Sequence, residues 1–199
     1  MRITREDFHG YMENWDEETR RIVVKRIEER FRRDRLEHFS PEEAAVLEAA
    51  LARMIPQREE EKIDLVGFVD SVLDMPLGRG DREHGMPRDD ILIHKGLSGI
   101  RETAEEMFRS SFTALVKDQQ EAVLKSIQEG SARGKTWDEI SSQRFFIKLM
   151  MKAITGFCAH PFAWMRMGFP GPSYPEGYVW ITRPGMRARS RHFPGWKTL

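Results

Sequence analysis

The two side chains best suited to covalent or acid–base chemistry, Cys158 and His160, lie two residues apart. A thiolate beside an imidazole is the arrangement that activates cysteine nucleophiles. Together with Arg166, they define one hypothesis, a stand-alone small enzyme or ligand-binding domain with its site around His160. The simpler interpretation of Cys158 is a buried free thiol. Because it is the chain's single cysteine, an internal disulfide and four-cysteine zinc or iron–sulfur ligation are excluded.

Candidate metal ligands occur only in pairs. The pairs are His9 with Glu13, Asp81 with His84, and Asp90 with His94. A catalytic zinc site needs three protein ligands, so each pair is interpreted as surface or salt-bridging residues, and no metal site is predicted. The segment 78–83 (GRGDRE) superficially resembles a glycine-rich nucleotide-binding loop. It lacks the third glycine of that loop and has no strand–turn–helix context, so no nucleotide-binding site is predicted there.

Helical periodicity dominates the chain from Asp16 to about Gly156. It predicts helices near 16–37, 41–55, 62–74, 89–108, 111–129 and 136–156, with a buried strand as the alternative for the valine-containing segment 62–74. Ser40-Pro41-Glu42-Glu43 and Thr136-Trp137-Asp138-Glu139 have the capping-box pattern, which marks helix starts. Residues 75–88 hold two prolines and three glycines and are predicted to form a surface loop. Gly96 and Gly99, inside a helical segment, indicate close helix packing or a hinge.

After Gly156 the helical period ends and prolines become frequent, which predicts turns and extended chain. This C-terminal segment is nonetheless rich in aromatic residues, so it is expected to bury its rings against the helical body or a partner. The predicted fold class is therefore all-α, an irregular multi-helix bundle with an extended Gly/Pro/aromatic-rich C-terminal segment. We expect residues 1–39 to form a charged helical extension and residues 40–199 to form one domain whose C-terminal segment starts at about 157.

The chain balances 32 basic against 32 acidic residues, which disfavours nucleic acid as a partner. From Ala159 onward there are six basic residues and one acidic residue, so a basic C-terminal segment follows a mildly acidic body. The most apolar stretch, 145–159, contains two lysines and is shorter than the roughly 20 residues that span a bilayer. No signal peptide is recognisable at the N-terminus, which predicts a cytoplasmic location.

The segment 156–178 (GFCAHPFAWMRMGFPGPSYPEGY) resembles the closing signature of the gluconate 2-dehydrogenase subunit 3 family. In that signature a helix ends in an aromatic-rich turn, here His160-Pro161. A Gly-aromatic-x-Gly-Pro element and a Gly-Tyr pair follow, here 168–172 and 177–178. Two upstream pieces are also similar, 40–56 and 112–124, so the resemblance spans roughly 40–180.

This resemblance implies a helical accessory subunit of an FAD-dependent gluconate, sugar or alcohol dehydrogenase, with no cofactor of its own. The large subunit would carry FAD, and a multihaem cytochrome subunit would accept the electrons. Since ordered aromatic side chains suit protein interfaces, the partner-binding residues are predicted to be Trp164, Phe169, Gly171, Tyr174, Tyr178 and Trp180. Family members often carry an export signal, whereas this sequence begins with a charged extension. This difference argues against export of the partner together with this subunit and favours a cytoplasmic use of the fold. A structural homo-oligomer is the third hypothesis.

Overall fold

The computed structural model describes residues 10, 12–13, 15–58, 62–73 and 87–169, and all the regular structure in these ranges is helical. The helices are α1 Glu17–Arg30, α2 Pro41–Met54, α3 Leu65–Ser71, α4 Asp89–Phe108, α5 Lys117–Glu129, α6 Lys135–Glu139, α7 Ser142–Ala159 and α8 Pro161–Met167, with 3-10 helices at Arg33–Arg35 and Phe112–Ala114. The predicted all-α class is confirmed. Within the described ranges, no helix is long and apolar enough to cross a membrane.

The chain divides into two compact units. The core unit comprises Lys25–His160. The terminal unit combines Met1–Val24 with Pro161–Leu199, and its described residues lie between 10 and 24 and between 161 and 169.

In the core unit, the long helices α4 and α7 lie at the centre and contact most of the other helices. Helix α4 contacts α2, α5, α6 and α7, and α7 also contacts α3 and α5. Their inward side chains are completely or almost completely buried: Leu92, Ile93, Leu97 and Ile100 on α4, and Phe145 and Leu149 on α7. The three-and-four spacing of these residues is the periodicity that predicted both helices, and the bounds of α4 agree with the predicted 89–108.

Glycines on α4 and α7 make room for aromatic rings. A Cβ at Gly96 would lie 2.0 Å from the Phe145 ring, and one at Gly99 would lie 2.3 Å from the ring of Trp137. On α7, a Cβ at Gly156 would lie 2.5 Å from a ring carbon of Phe68. These separations are far below van der Waals contact, so the Gly96 and Gly99 pair serves helix packing.

The first predicted capping box is confirmed and the second is wrong. Ser40 accepts the backbone N–H of Glu43, whose carboxylate accepts the backbone N–H of Ser40 in return. Thr136 instead lies inside the short helix α6, where its backbone N–H and its hydroxyl both donate to the carboxylate of Glu102. The long helix α7 begins six residues later, with Ser141 as its cap.

Helix α1 ends at Arg30, although periodicity predicts a helix to residue 37. Beyond it, the backbone N–H groups of Glu37, His38 and Phe39 all donate to the buried carboxylate of Asp70 on α3. Because those groups are engaged by a distant side chain, the helical hydrogen-bond ladder cannot continue through them. Within α1 the buried residues are Thr19 and Val23.

The C-terminal segment differs from its prediction at its start. Helix α7 continues to Ala159, and Pro161–Met167 form helix α8 where turns and extended chain were predicted. Proline is compatible with the first turn of a helix, since the N–H group it lacks has no intrahelical acceptor there. The predicted loop lies outside the described residues except for Pro87 and Arg88, and so does the chain after Phe169.

Candidate functional site

The His160-Pro161 turn of the C-terminal signature marks the end of one helix and the start of another. His160 caps α7 with an extended backbone (φ −86°, ψ 129°), and its N–H donates to the carbonyl of Phe157 at 3.2 Å. The residue before a proline is disfavoured in the helical region, so Pro161 forces α7 to stop and then begins α8. This part of the signature is a helix-terminating device.

The imidazole of His160 is half-buried and lies edge-on against the ring of Phe31, with 4.8 Å between centroids and 88° between planes. Burial lowers the pKa of His160 to about 4, because removing the ring from water disfavours its charged form. At neutral pH the ring is therefore uncharged. With its pKa lowered to about 4, the ring is a weak base at neutral pH, whereas an effective general base has a pKa near the working pH.

Cys158 is exposed on α7, so the interpretation of this residue as a buried free thiol is wrong. The position of Cys158 on the helix explains its exposure. It lies eleven residues after Ile147 and seven after Met151, which are both exposed, so the three side chains share the outward face of α7. Arg166, the third residue of that hypothetical site, is exposed on α8 in the terminal unit.

Two of the predicted partner-binding residues form part of an aromatic cluster in the terminal unit. The Trp164 ring lies 6.2 Å from that of Trp15 and 5.5 Å from that of Phe169, the latter at an edge-to-face angle of 77°. Gly168 ends α8 in the left-handed region, at φ 70°, and the N–H of Phe169 then donates to the carbonyl of Trp164 at 2.8 Å. Both rings are half-buried, which leaves part of each accessible.

The left-handed Gly168 explains the first glycine of the Gly-aromatic-x-Gly-Pro element. A residue with a Cβ is strained at this φ value, whereas glycine adopts it freely. The glycine thus allows the chain to turn back after α8 and to set the Phe169 ring against Trp164. The other predicted partner-binding residues, Gly171, Tyr174, Tyr178 and Trp180, lie outside the described residues.

Asp90 and His94 each contact a different side chain, which agrees with their interpretation as surface or salt-bridging residues. Asp90 accepts from Arg88 at 3.2 Å, and the Nδ1 atom of His94 lies 2.8 Å from the Glu43 carboxylate. Although burial raises the pKa of Glu43, hydrogen bonds from His94 and from the Ser40 N–H outweigh it and lower the pKa overall. Among the described residues, no three His, Cys, Asp or Glu side chains are grouped as metal ligands would be.

An exposed apolar face on α7 was not predicted. Ile147, Met151 and Ile154 are 59%, 56% and 41% exposed, and their spacing of four and three residues places them in one row. The signal was present in the sequence, because α7 is apolar on nearly all sides, but periodicity alone cannot tell a covered side from an open one.

A family model described as Gluconate 2-dehydrogenase subunit 3 matches residues 41–171, about two thirds of the chain, from the first residue of α2 to just beyond Phe169. No curated protein and no solved structure is significantly similar to this chain.

Proposed function

This chain belongs to the gluconate 2-dehydrogenase subunit 3 family, and on that premise we propose that it is a non-catalytic accessory subunit. It binds the FAD-dependent large subunit of a gluconate, sugar or alcohol dehydrogenase and stabilises it. FAD and haem reside in the partner subunits. The observation that carries the proposal is the family match, which includes every helix of the core unit from α2 to α7.

The use of polar groups in the core unit supports a non-catalytic role. The carboxylates of Asp70, Glu43 and Glu102 hold backbone or side-chain groups of neighbouring elements, with distances of 2.8 to 3.2 Å. The buried hydroxyl of Thr103 accepts from the Trp137 indole and donates to the Gly99 carbonyl. Groups committed in this way to joining helices are poorly placed to act on a substrate.

The aromatic residues at the start of the C-terminal segment supply the proposed anchors. Trp164 and Phe169 are half-buried and held by neighbouring rings, so little side-chain entropy remains to be lost when a partner covers them. Tyr174, Tyr178 and Trp180 extend the same aromatic series along the sequence, with Gly171 between the two groups. Large rigid rings of this kind dominate the energetics of protein interfaces.

Co-expression with the large subunit tests the proposal. The tagged chain should copurify with an FAD-containing dehydrogenase of the gluconate 2-dehydrogenase type from the same cell, in a fixed ratio measured by flavin absorbance. The flavoprotein should also unfold at a higher temperature with the chain than without it, since a ligand that binds only the folded state stabilises it. The isolated chain should not oxidise gluconate.

The anchors are tested by the double variant Tyr174→Ala and Tyr178→Ala, which should weaken copurification about 10-fold or more, the usual effect of losing aromatic anchors. Met167→Ala is the matched control, because Met167 is 54% exposed on α8 and is not among the anchors. A homomeric protein that retains no flavoprotein, or oxidation of gluconate by the chain alone, would refute the accessory role.

A further inference from the structure

The segment just before α1 is held in a fixed turn. The backbone N–H of Trp15 donates to the carbonyl of Met12 at 3.1 Å, and the Arg20 guanidinium donates to the carbonyls of Glu13 and Trp15 at 3.3 and 3.1 Å. Asp16 then caps α1, because its carboxylate accepts a backbone N–H of the first turn at 2.9 Å. The backbone on both sides of Trp15 is therefore hydrogen-bonded, and the start of α1 sets the position of its indole ring.

The indole ring of Trp15 lies beside the aromatic side chains at the start of the C-terminal segment. Its centroid is 6.2 Å from that of Trp164, whose ring in turn lies 5.5 Å from that of Phe169. Aromatic rings attract one another at centroid separations of about 4.5 to 7 Å. Trp15, Trp164 and Phe169 therefore form one continuous cluster, which we call the aromatic triad.

The triad lies on a packed part of the terminal unit. Phe162 and Ala163, which precede Trp164 on α8, are 8% and 0% exposed, and Met12 is 7% exposed. The three rings of the triad are half-buried. Each arm of the triad thus has buried neighbours in the sequence, while part of each ring remains accessible to a partner.

The triad joins residues inside and outside the family match. Trp164 and Phe169 lie within residues 41–171, whereas Trp15 precedes that range. The N-terminal extension therefore supplies a ring to an aromatic cluster whose other two members belong to the family region. A residue in this position is able to adjust a shared binding element to one partner, because specificity depends on small differences in affinity.

We propose that Trp15 is a positioning residue of the partner-binding surface. Its ring holds Trp164, and through Trp164 also Phe169, in the orientation in which these two anchors contact the dehydrogenase large subunit. This inference rests on the proposed function and gives the N-terminal extension a role in it. A ring that is already held before binding loses less conformational entropy when the partner covers it, so the contact made by Trp15 strengthens binding without requiring Trp15 to touch the partner.

Fluorine NMR of the isolated chain labelled with 5-fluorotryptophan tests the contact inside the triad. The Trp164 signal is identified by its loss in Trp164→Phe, and it should shift or broaden in Trp15→Ala. Ile22→Ala is the matched control, because Ile22 is 45% exposed on α1 in the same unit, and it should leave the signal in place. A Trp164 signal that is unchanged in Trp15→Ala overturns the positioning role.

Binding of the co-expressed flavoprotein tests what the contact does. Trp15→Ala should weaken binding about 3- to 10-fold, the effect of losing one aromatic pair, and Trp15→Phe, which keeps a ring, should restore most of it. In a Trp164→Ala background, Trp15→Ala should weaken binding less than about 2-fold further, because Trp15 acts through Trp164. Additive effects of the two substitutions would show that Trp15 acts independently of Trp164 and would overturn the proposal.

Two neighbouring arginines provide a second test that leaves every aromatic ring in place. Arg20→Ala releases the carbonyl of Trp15 and should weaken flavoprotein binding about 2-fold or more. Arg21→Ala removes the same charge from α1 but breaks only the exposed pair with Glu18, so binding should stay unchanged. Both variants should keep the helical circular dichroism of the unmodified chain. Equal weakening by both would assign the effect to the charge of α1 and overturn the proposal.

The outcomes separate this inference from the proposed function. If the unmodified chain binds the flavoprotein and Trp15→Ala binds it equally well, the positioning role of Trp15 is overturned and the accessory role stands. If the unmodified chain does not bind the flavoprotein, both are overturned. Weaker binding by Trp15→Ala and by Arg20→Ala, together with rescue by Trp15→Phe, supports both.

Discussion

The carboxylate of Asp70 on α3 accepts a hydrogen bond from the backbone N–H of Phe39 at 3.2 Å, across 31 residues of sequence. The same carboxylate accepts from the N–H groups of Glu37 and His38 at 2.9 and 3.0 Å. Asp70 is only 3% exposed, and a buried carboxylate persists when it is well hydrogen-bonded. One side chain thus fixes the turn that leads into the Ser40 cap of α2.

Replacing Asp70 by Asn should lower the free energy of unfolding by about 2–4 kcal/mol, because an amide offers one acceptor oxygen and turns a donor toward the remaining N–H groups. The urea midpoint, monitored by circular dichroism, measures the loss. Asp118→Asn is the control, since Asp118 is exposed on α5, and it should change stability by about 0.5 kcal/mol or less. Equal effects of the two variants would contradict the role of Asp70.

Gly96→Ala should destabilise the protein by about 1–3 kcal/mol, the usual effect of overpacking, because the new Cβ would lie 2.0 Å from the Phe145 ring. Alanine is the better helix former by about 1 kcal/mol, so any net loss reports the steric conflict. Adding Phe145→Leu should recover part of it, and the double-mutant cycle should give a coupling of about 0.5 kcal/mol or more. Strictly additive effects would show that the two positions are independent.

Asp89→Asn should cost about 2–4 kcal/mol of stability, because it leaves Lys152, only 13% exposed, without the carboxylate that lies 2.9 Å away. Thermal unfolding provides the measurement. The neighbouring Asp90→Asn is a matched control, since its partner Arg88 is 63% exposed and exposed pairs contribute about 0–1 kcal/mol. A smaller effect at Asp89 than at Asp90 would rule out the α4–α7 bridge as a stabilising contact.

The pKa of His160, lowered to about 4 by burial, makes stability depend on pH. Between pH 6.5 and 4 the unfolded chain binds a proton that the folded chain does not, so stability is full above about 6.5 and falls as the pH is lowered. The loss by pH 4 is roughly 3 kcal/mol, taking 1.36 kcal/mol for each unit of pKa.

His160→Phe, which keeps a ring against Phe31 and cannot titrate, should remove this part of the pH dependence. The measurement is the difference in unfolding free energy between the unmodified chain and the variant at pH 7, 6 and 5. That difference should move steadily in favour of the variant as the pH falls. An NMR titration of the His160 ring with an ordinary midpoint near 6.5 would contradict the prediction.

Local patterns in the sequence predicted the helix bounds, the helix cap and the fold class that depend on residues close together in the sequence. The bounds of α4 followed from its apolar period, the start of α2 from the Ser40 and Glu43 capping box, and the all-α class from the period as a whole. The closing motif from Gly156 to Tyr178 and its supporting helices indicated the family, which the match over 41–171 confirmed. These features are fixed by interactions over three or four residues or by the sequence signature itself.

The tertiary structure decided which distant group each side chain meets. Thr136 has the spacing of a helix cap, yet its hydroxyl donates to Glu102, 34 residues earlier, because packing brings that carboxylate within reach. Side chains suited to a core are exposed on the outer face of α7, because its inner face already fills the space beside α3, α4 and α5: Ile147, Met151, Ile154 and Cys158. A helix has several apolar sides in sequence, and only the packing of its neighbours determines which of them remains open.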